Sequence, residues 1–390
     1  MNDQSEQSRE APILRKPLQI VRPTFPPIDG ILPDFARSLA AGQVTNNGPW
    51  VVKFERLLEE YLGAPTLVFS SGQVALMTML RAAGISGGEV IVPSLTFAAT
   101  PHAVVWNGAE PVFADVKDDM SFTIDPADVE TRITDKTVAI LSVDPYGIAC
   151  DYEALAAIGR RRGLRVLVDS APSFGTTVAG RRVGGFGDAQ IFSFHATKAF
   201  NTMEGGCLCS NDKALIERAR AIRNFGQGAE GDCAIAGLNG KMLEICAIIG
   251  IEQLKSFDTA AKTRRLCAKR VGDGLAGIEG VNVARPPAGQ EPIWLYLPVL
   301  IDQTRFGCNR DEAADLLASR NIHVRKYYGP PCHRMSVYAK MCRQPSLPVS
   351  ERLASSVLAL PIYNDMTAEE CDRIVKAFRF AQVNCNEEVR

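Results

Sequence analysis

One lysine in this chain stands where its amine is chemically useful. The run Ile191-Phe192-Ser193-Phe194-His195-Ala196-Thr197-Lys198 passes from apolar, strand-like residues to polar ones. Glu204-Gly205-Gly206 then breaks the chain before a second apolar run, Cys207-Leu208-Cys209. A lysine in a short loop between two buried strands is partly desolvated, which lowers its pKa and exposes a neutral amine. Such an amine forms a Schiff base with an aldehyde. Taken alone, a lysine reads first as a solvated loop charge, and it is the residues around this one that reverse that reading. A carboxylate is the second candidate: the apolar run Leu164–Val168 ends on Asp169, at the end of a sheet where α/β proteins bind ligands. A strand-end aspartate is also an ordinary helix or turn cap. The third candidate is Ser70-Ser71-Gly72-Gln73, a small-residue turn between a short strand and a helix. The first amides of a helix are unpaired and point outward, which makes an anion site, although the same residues describe a simple N-cap.

These groups need elements to position them. Ala64–Phe69, Glu89–Pro93, Pro111–Val116, Val138–Val143 and Leu164–Asp169 are strand-like runs. Between them apolar residues recur at helical spacing, as in Val52, Phe54, Leu57, Leu58, Tyr61 and Leu62. This alternation predicts a mostly parallel sheet covered by helices. Pro17–Ile31, with its several prolines, is expected to be an extended arm rather than a helix. From about Asp258 the alternation weakens into a charged helix at Ala260–Leu275, an aromatic strand at Ile293–Val299 and a helix at Asp311–Ser319. The expected division is a flexible lead-in over 1–22, a large domain over 23–258 and a small C-terminal α+β domain over 259–390. Tyr327, Tyr328 and His333 can line a pocket between the two, or simply pack.

Composition excludes other classes. The 390 residues carry a net charge of −1 with no basic arm, which argues against nucleic acid as a partner. No apolar run reaches the length of a membrane span, and the polar N-terminus has no signal core, so a cytoplasmic protein is expected. The eleven cysteines form no Cys-x-x-Cys pair and the four histidines no His-Glu-x-x-His motif, so no metal is expected and the thiols read as reduced. Gly184-Gly185-Phe186-Gly187 precedes a strand and is a turn, not a dinucleotide loop.

Ser-Phe-His-Ala-Thr-Lys followed by Glu-Gly-Gly resembles the lysine segment of the DegT/DnrJ/EryC1/StrS family, and the resemblance runs from about Pro23 to about Phe378. It implies an α/β protein of PLP-transferase fold type I, with helices on both faces of the large sheet. The implied cofactor is pyridoxal 5'-phosphate, bound through Lys198, with Asp169 holding the proton on the ring nitrogen. Ser71, Gly72, Gln73 and Ser193 are then the phosphate site, Phe97 the ring that stacks on the cofactor, and Asn239 a residue that reaches the neighbouring subunit's phosphate in a homodimer with shared active sites. The implied reaction moves an amino group from L-glutamate to C3 or C4 of a nucleotide-linked keto-6-deoxyhexose, on dTDP by the wording of the lysine segment. A keto-cyclitol acceptor and a non-catalytic regulatory relative are the alternatives. Sugar dehydratases of this kind replace the lysine by histidine, and Lys198 is present. Three departures stand out: Gln73 where the family has threonine, Asp144-Pro145-Tyr146-Gly147 where it has His-x-Tyr-Gly, and Pro172 where it has Gln or His.

Overall fold

A computed structural model describes residues 16–228, 232–341 and 346–388. The main sheet is built from β1 (Thr66–Phe69), β2 (Glu89–Pro93), β3 (Glu110–Ala114), β4 (Thr137–Val143) and β5 (Arg165–Asp169). After a small hairpin, β6 (Thr177–Val178) and β7 (Arg181–Arg182), it is completed by β8 (Ala189–Ser193) and β9 (Gly206–Cys209). The order is β1-β9-β8-β5-β4-β2-β3. Pairings from β8 through β5, β4 and β2 to β3 are parallel, and only β9 runs against its neighbours.

The strands are continuous apolar runs because helices cover both faces. Side chains alternate between two cores along each strand. Leu67, Val90, Leu141, Leu167 and Ile191 enter one of them, and Val68, Ile91, Ile140, Val168 and Phe192 enter the other. On the first face lie α3 (Gly72–Ala82) and α4 (Ala99–Trp106), introduced after α1 (Ile28–Ala40) and α2 (Pro49–Leu62). On the second face α2 packs with the helix Glu244–Leu254. A second, antiparallel sheet follows in the chain, formed by β10 (Val281–Val283), β12 (Tyr296–Ile301) and β13 (Val357–Pro361), while β11 (Gln290–Glu291) joins the small hairpin. No helix among the described residues is long and apolar enough to cross a membrane.

Three expectations need correction. The arm ends at Pro27, because α1 begins at Ile28 and carries Pro33 inside it. Pro33 is the sixth residue of the helix and removes one bond from its ladder, but α1 packs on the helix Glu244–Leu254 and forms regardless, so proline content alone misjudged the boundary. Residues 1–15 of the expected flexible lead-in lie outside the described residues, but the rest of it is docked. Leu18 pairs with Asn321 and His323 through backbone bonds, and Arg22 forms ion pairs with Asp365 and Glu370. Finally, Cys308 and Cys385 are joined by a disulfide 77 residues apart in sequence. The C-terminal helix Ala368–Glu388 packs against the helix Arg310–Ser319 and brings their Cα atoms to 5.3 Å, a proximity that cysteine spacing does not reveal.

Candidate active site

The carboxyl edge of the parallel strands gathers the chemistry. Asp169 ends β5, Ser193 ends β8, and β1 ends at Phe69, level with Gly206 across β9. Between this edge and the second sheet lies a cavity of about 410 Å³. Seven of the eight expected site residues line it: Ser71, Gly72, Gln73, Phe97, Asp169, Ser193 and Lys198. Asn239 does not. It is solvent-exposed, in a backbone bridge with Asn224.

Lys198 is placed by a tight loop. Its amide donates to His195 O (2.9 Å), Thr202 N donates to Phe194 O (2.9 Å), and Phe194 N closes the loop on Gly205 O (2.8 Å). The rings of Phe194 and Phe200 are buried beneath it. From the other side, Asn364 Nδ2 donates to Ala199 O (2.8 Å), while its oxygen accepts from Arg264 Nη1 (3.0 Å). Arg264 is itself buried, donates to the carbonyls of Ile293, Trp294 and Leu295, and has its pKa pulled down to about 10 by burial. Burial also pushes the Lys198 ammonium below the usual lysine range, against the opposing pull of Asp169. The neutral amine is therefore easier to reach than in a solvated lysine.

Asp169 is 5% exposed. Its Oδ2 accepts from Thr100 Oγ1 (2.8 Å) and its Oδ1 from the Ala171 amide (3.1 Å). Burial raises its pKa, while these two donors and Lys198 act in the other direction. A carboxylate this buried gains most from a cationic partner facing it.

The helix α3 is N-capped by Ser71, whose hydroxyl accepts from the Val74 amide (3.2 Å). Glycine is required at its first residue. A Cβ on Gly72 would lie 2.7 Å from Ser193 Cβ, and one on Gly206 would lie 2.7 Å from the Gly72 nitrogen. This close approach aims the helix start into the cavity beside Ser193. Gln73 turns its side-chain amide to Ala99 O (3.3 Å), so it tethers α4 to α3. Phe97 leaves 59% of its surface exposed at the cavity wall. Pyridoxal phosphate requires an amine for its aldehyde, a carboxylate for its ring nitrogen, a flat apolar face and an anion cradle. The residues present fit all four requirements.

Other groups line the cavity as well, of which the sequence offered Tyr327 and Tyr328 only as residues that either line a pocket or pack. His195 and Glu204 pair at 3.4 Å, and both belong to the lysine segment, which was the available signal. Leu295 and Tyr296 come from the aromatic strand of the second sheet, and Tyr327 and Tyr328 from the loop beyond it. Tyr146 Oη, donating to Tyr327 O, holds that loop (2.5 Å). Tyr327 and Tyr328 are thus pocket residues. His333 is not: its ring is 1% exposed, with Nδ1 2.5 Å from Ser94 Oγ and Nε2 3.0 Å from Glu351. It ties the loop to the end of β2.

Known proteins share this fold and much of this sequence. The chain is 34% identical over 367 residues to the dTDP-4-amino-4,6-dideoxy-D-glucose transaminase of Shigella dysenteriae, covering 94% of this chain and 99% of that one. It is 31% identical over 346 residues to the GDP-perosamine synthase of Vibrio cholerae, covering 87% and 93%. The crystal structure of DesI with its TDP-sugar product superposes with a TM-score of 0.91 at 33% identity, over 97% and 96% of the two chains. The family model described as the DegT/DnrJ/EryC1/StrS aminotransferase family matches residues 29–379. With that match and these relatives, the chain belongs to the DegT/DnrJ/EryC1/StrS family of pyridoxal-phosphate-dependent aminotransferases.

Proposed function

We propose that this enzyme moves an amino group from L-glutamate to the C4 keto group of a dTDP-linked keto-6-deoxyhexose. The observation that carries the chemistry is the convergence of Lys198 and Asp169 on one cavity beside the start of α3. The acceptor is read from the names of the relatives, which print a dTDP sugar aminated at C4. When bound, pyridoxal phosphate supplies an aldehyde that accepts the amine and a ring that draws electrons from the adjacent carbon. Lys198 Nζ would anchor the aldehyde between turnovers and then take the proton from the α-carbon of glutamate. Asp169 would hold a proton on the ring nitrogen. The amides of Gly72 and Gln73, with the hydroxyls of Ser71 and Ser193, would bind the phosphate. Phe97 would offer the ring an apolar face, and Leu295, Tyr296 and Tyr328, which also line the cavity, would limit access of water. Glutamate would leave as 2-oxoglutarate with its keto oxygen taken from water, its nitrogen and two electrons being carried by the cofactor. In the second half the sugar's ketone carbon would receive that nitrogen, that electron pair and a proton from Lys198, the ketone oxygen leaving as water.

The two halves are separable by experiment. L-Glutamate alone is expected to shift the visible band of the cofactor-loaded enzyme to the amine form and release one 2-oxoglutarate per site. Adding a dTDP-4-keto-6-deoxyhexose should then restore the band and yield the 4-amino sugar. A band that responds to glutamate but to no keto sugar would reject the acceptor while leaving the donor reading standing.

We also propose that the enzyme is a homodimer whose two chains share each site. Support comes from an apolar surface on α1, α2 and the start of the helix Glu244–Leu254, where Ile28 is 63%, Leu32 51%, Val52 50% and Leu243 50% exposed. Asn239 lies four residues before Leu243 and outside the cavity of its own chain. Lys198→Ala and Asn239→Ala proteins are expected to be weak alone and to regain activity when mixed, since each mixed dimer then has one intact site. Failure of the mixture to exceed its components, with dimer exchange verified, would count against sharing.

A further inference from the structure

Behind the cavity sits a buried acid that none of these steps uses. Asp144 follows β4, is fully buried, and its amide donates to Asp169 O (3.2 Å). Three hydroxyls converge on its Oδ2: Ser170 Oγ at 2.7 Å, Ser173 Oγ at 2.9 Å and Tyr152 Oη at 2.7 Å. The Cys150 amide donates to its Oδ1 (3.0 Å). Gln190 Nε2 in turn donates to Ser170 Oγ (3.0 Å). Asp144 does not line the cavity.

Ser170 and Ser173 are the two ends of one turn, closed by the Ser173 amide on Ser170 O (2.9 Å). Inside it, the Ala171 amide is the donor that holds Asp169 Oδ1. The position of the turn therefore sets the angle at which Asp169 presents its carboxylate. Pro172 is the third residue of this turn, a position where its ring pushes the preceding residue away from the helical backbone region. The turn is thus poorly held by its own backbone preference and depends on outside anchors. Asp144 grips it at both ends with charge-assisted bonds. A buried network in which every member has a partner is rigid, whereas removing members leaves unpaired polar atoms.

We propose that Asp144 is a positioning residue for Asp169, acting through Ser170 and Ser173 on the Ala171 amide. The two residues that looked anomalous in the sequence, Asp144 and Pro172, then form one device. The inference rests on Asp169 facing the ring nitrogen, as read above.

The test is the Ser170→Ala/Ser173→Ala double variant, which keeps Asp144 bonded to Tyr152 and Cys150, with Asp144→Asn as a second variant. Amide exchange at Ala171, followed with and without the cofactor, is expected to quicken at least tenfold. In the loaded enzyme the rate constant of the glutamate half-reaction at saturation should fall about tenfold, with the half-saturating glutamate concentration within twofold of wild type. A purely structural network would lower the melting temperature and leave the Ala171 amide and the rate constant at wild-type values. That outcome in both variants overturns the proposal. Asp169→Asn, run in parallel, tests the underlying reading separately: if it leaves the half-reaction rate unchanged, the role of Asp169 is wrong, while Ala171 exchange still decides the clamp.

Discussion

Lys198→Ala is expected to abolish amine transfer, with a loss on the order of 10⁴-fold or more in the glutamate half-reaction. Two functions vanish together in this variant. The aldehyde loses its covalent anchor, and the proton at the donor's α-carbon loses its acceptor. No neighbour replaces the anchor, because the other groups of the lysine loop that line the cavity, His195, Thr197 and Glu204, carry no amine. The fold should survive: Lys198 forms its backbone bond to His195 O through the amide, which alanine retains. The check is a rapid-mixing record of the visible band after adding glutamate. Wild-type protein should convert within the assay and the variant should not. Conversion at a rate within a hundredfold of wild type would remove Lys198 from the chemistry. The depressed pKa of the amine has a consequence in the same assay. Cofactor capture by the emptied wild-type protein should proceed at pH values where an ordinary lysine is still almost wholly protonated and unreactive.

Asp169→Asn should give the second largest effect, a fall of about 10² to 10³-fold in the same half-reaction with the cofactor still bound. Asparagine fills the same space, and its oxygen can still accept from the Ala171 amide while its NH2 donates to the Thr100 hydroxyl oxygen, so packing at the end of β5 is preserved. What it lacks is the negative charge that keeps a proton on the ring nitrogen, and without that proton the ring is a weaker electron sink. The buried wild-type carboxylate is a liability in the emptied enzyme: burial raises its pKa, and only Thr100, Ala171 and Lys198 work against this. A cationic ring nitrogen completes that balance, so the emptied enzyme should be less stable than the loaded one by more in wild type than in Asp169→Asn. Thermal melts of both proteins with and without cofactor measure this difference. Equal stabilisation of the two by the cofactor would mean that the carboxylate and the ring do not meet.

The parts of the site legible in sequence were those set by local pattern. Strands β2, β4 and β5 fall within a residue or two of the apolar runs that announced them, because a strand buried on both faces must be continuously apolar. The turn at Ser71 and Gly72 was legible because a strand, a small-residue turn and a helix start are contiguous. Lys198 was legible because a polar lysine loop between two buried strands is a local contradiction that calls for a reason. Where local pattern misled, a distant contact was responsible. Ile28–Ile31 looked too close to prolines to be helical, yet α1 packs on the helix Glu244–Leu254 and begins there. Lys16–Arg22 looked like part of a free tail, yet Leu18 and Arg22 are held by residues more than 300 positions away.

The sequence by itself picked out the lysine, the carboxylate and the small-residue turn, since one lies in a short loop between two strands, one at a strand end and one at a helix start. Only the tertiary structure decided which residues complete the cavity. Tyr327 and Tyr328 enter it while His333, five residues on, is locked between Ser94 and Glu351. It also decided that Asp144 and Pro172 serve one turn, since β4 and β5 are neighbours only in the folded sheet. The physical reason is range: backbone preference and apolar period act over a few residues, whereas hydrogen bonds to a buried carboxylate are chosen by whatever the fold brings within 3 Å.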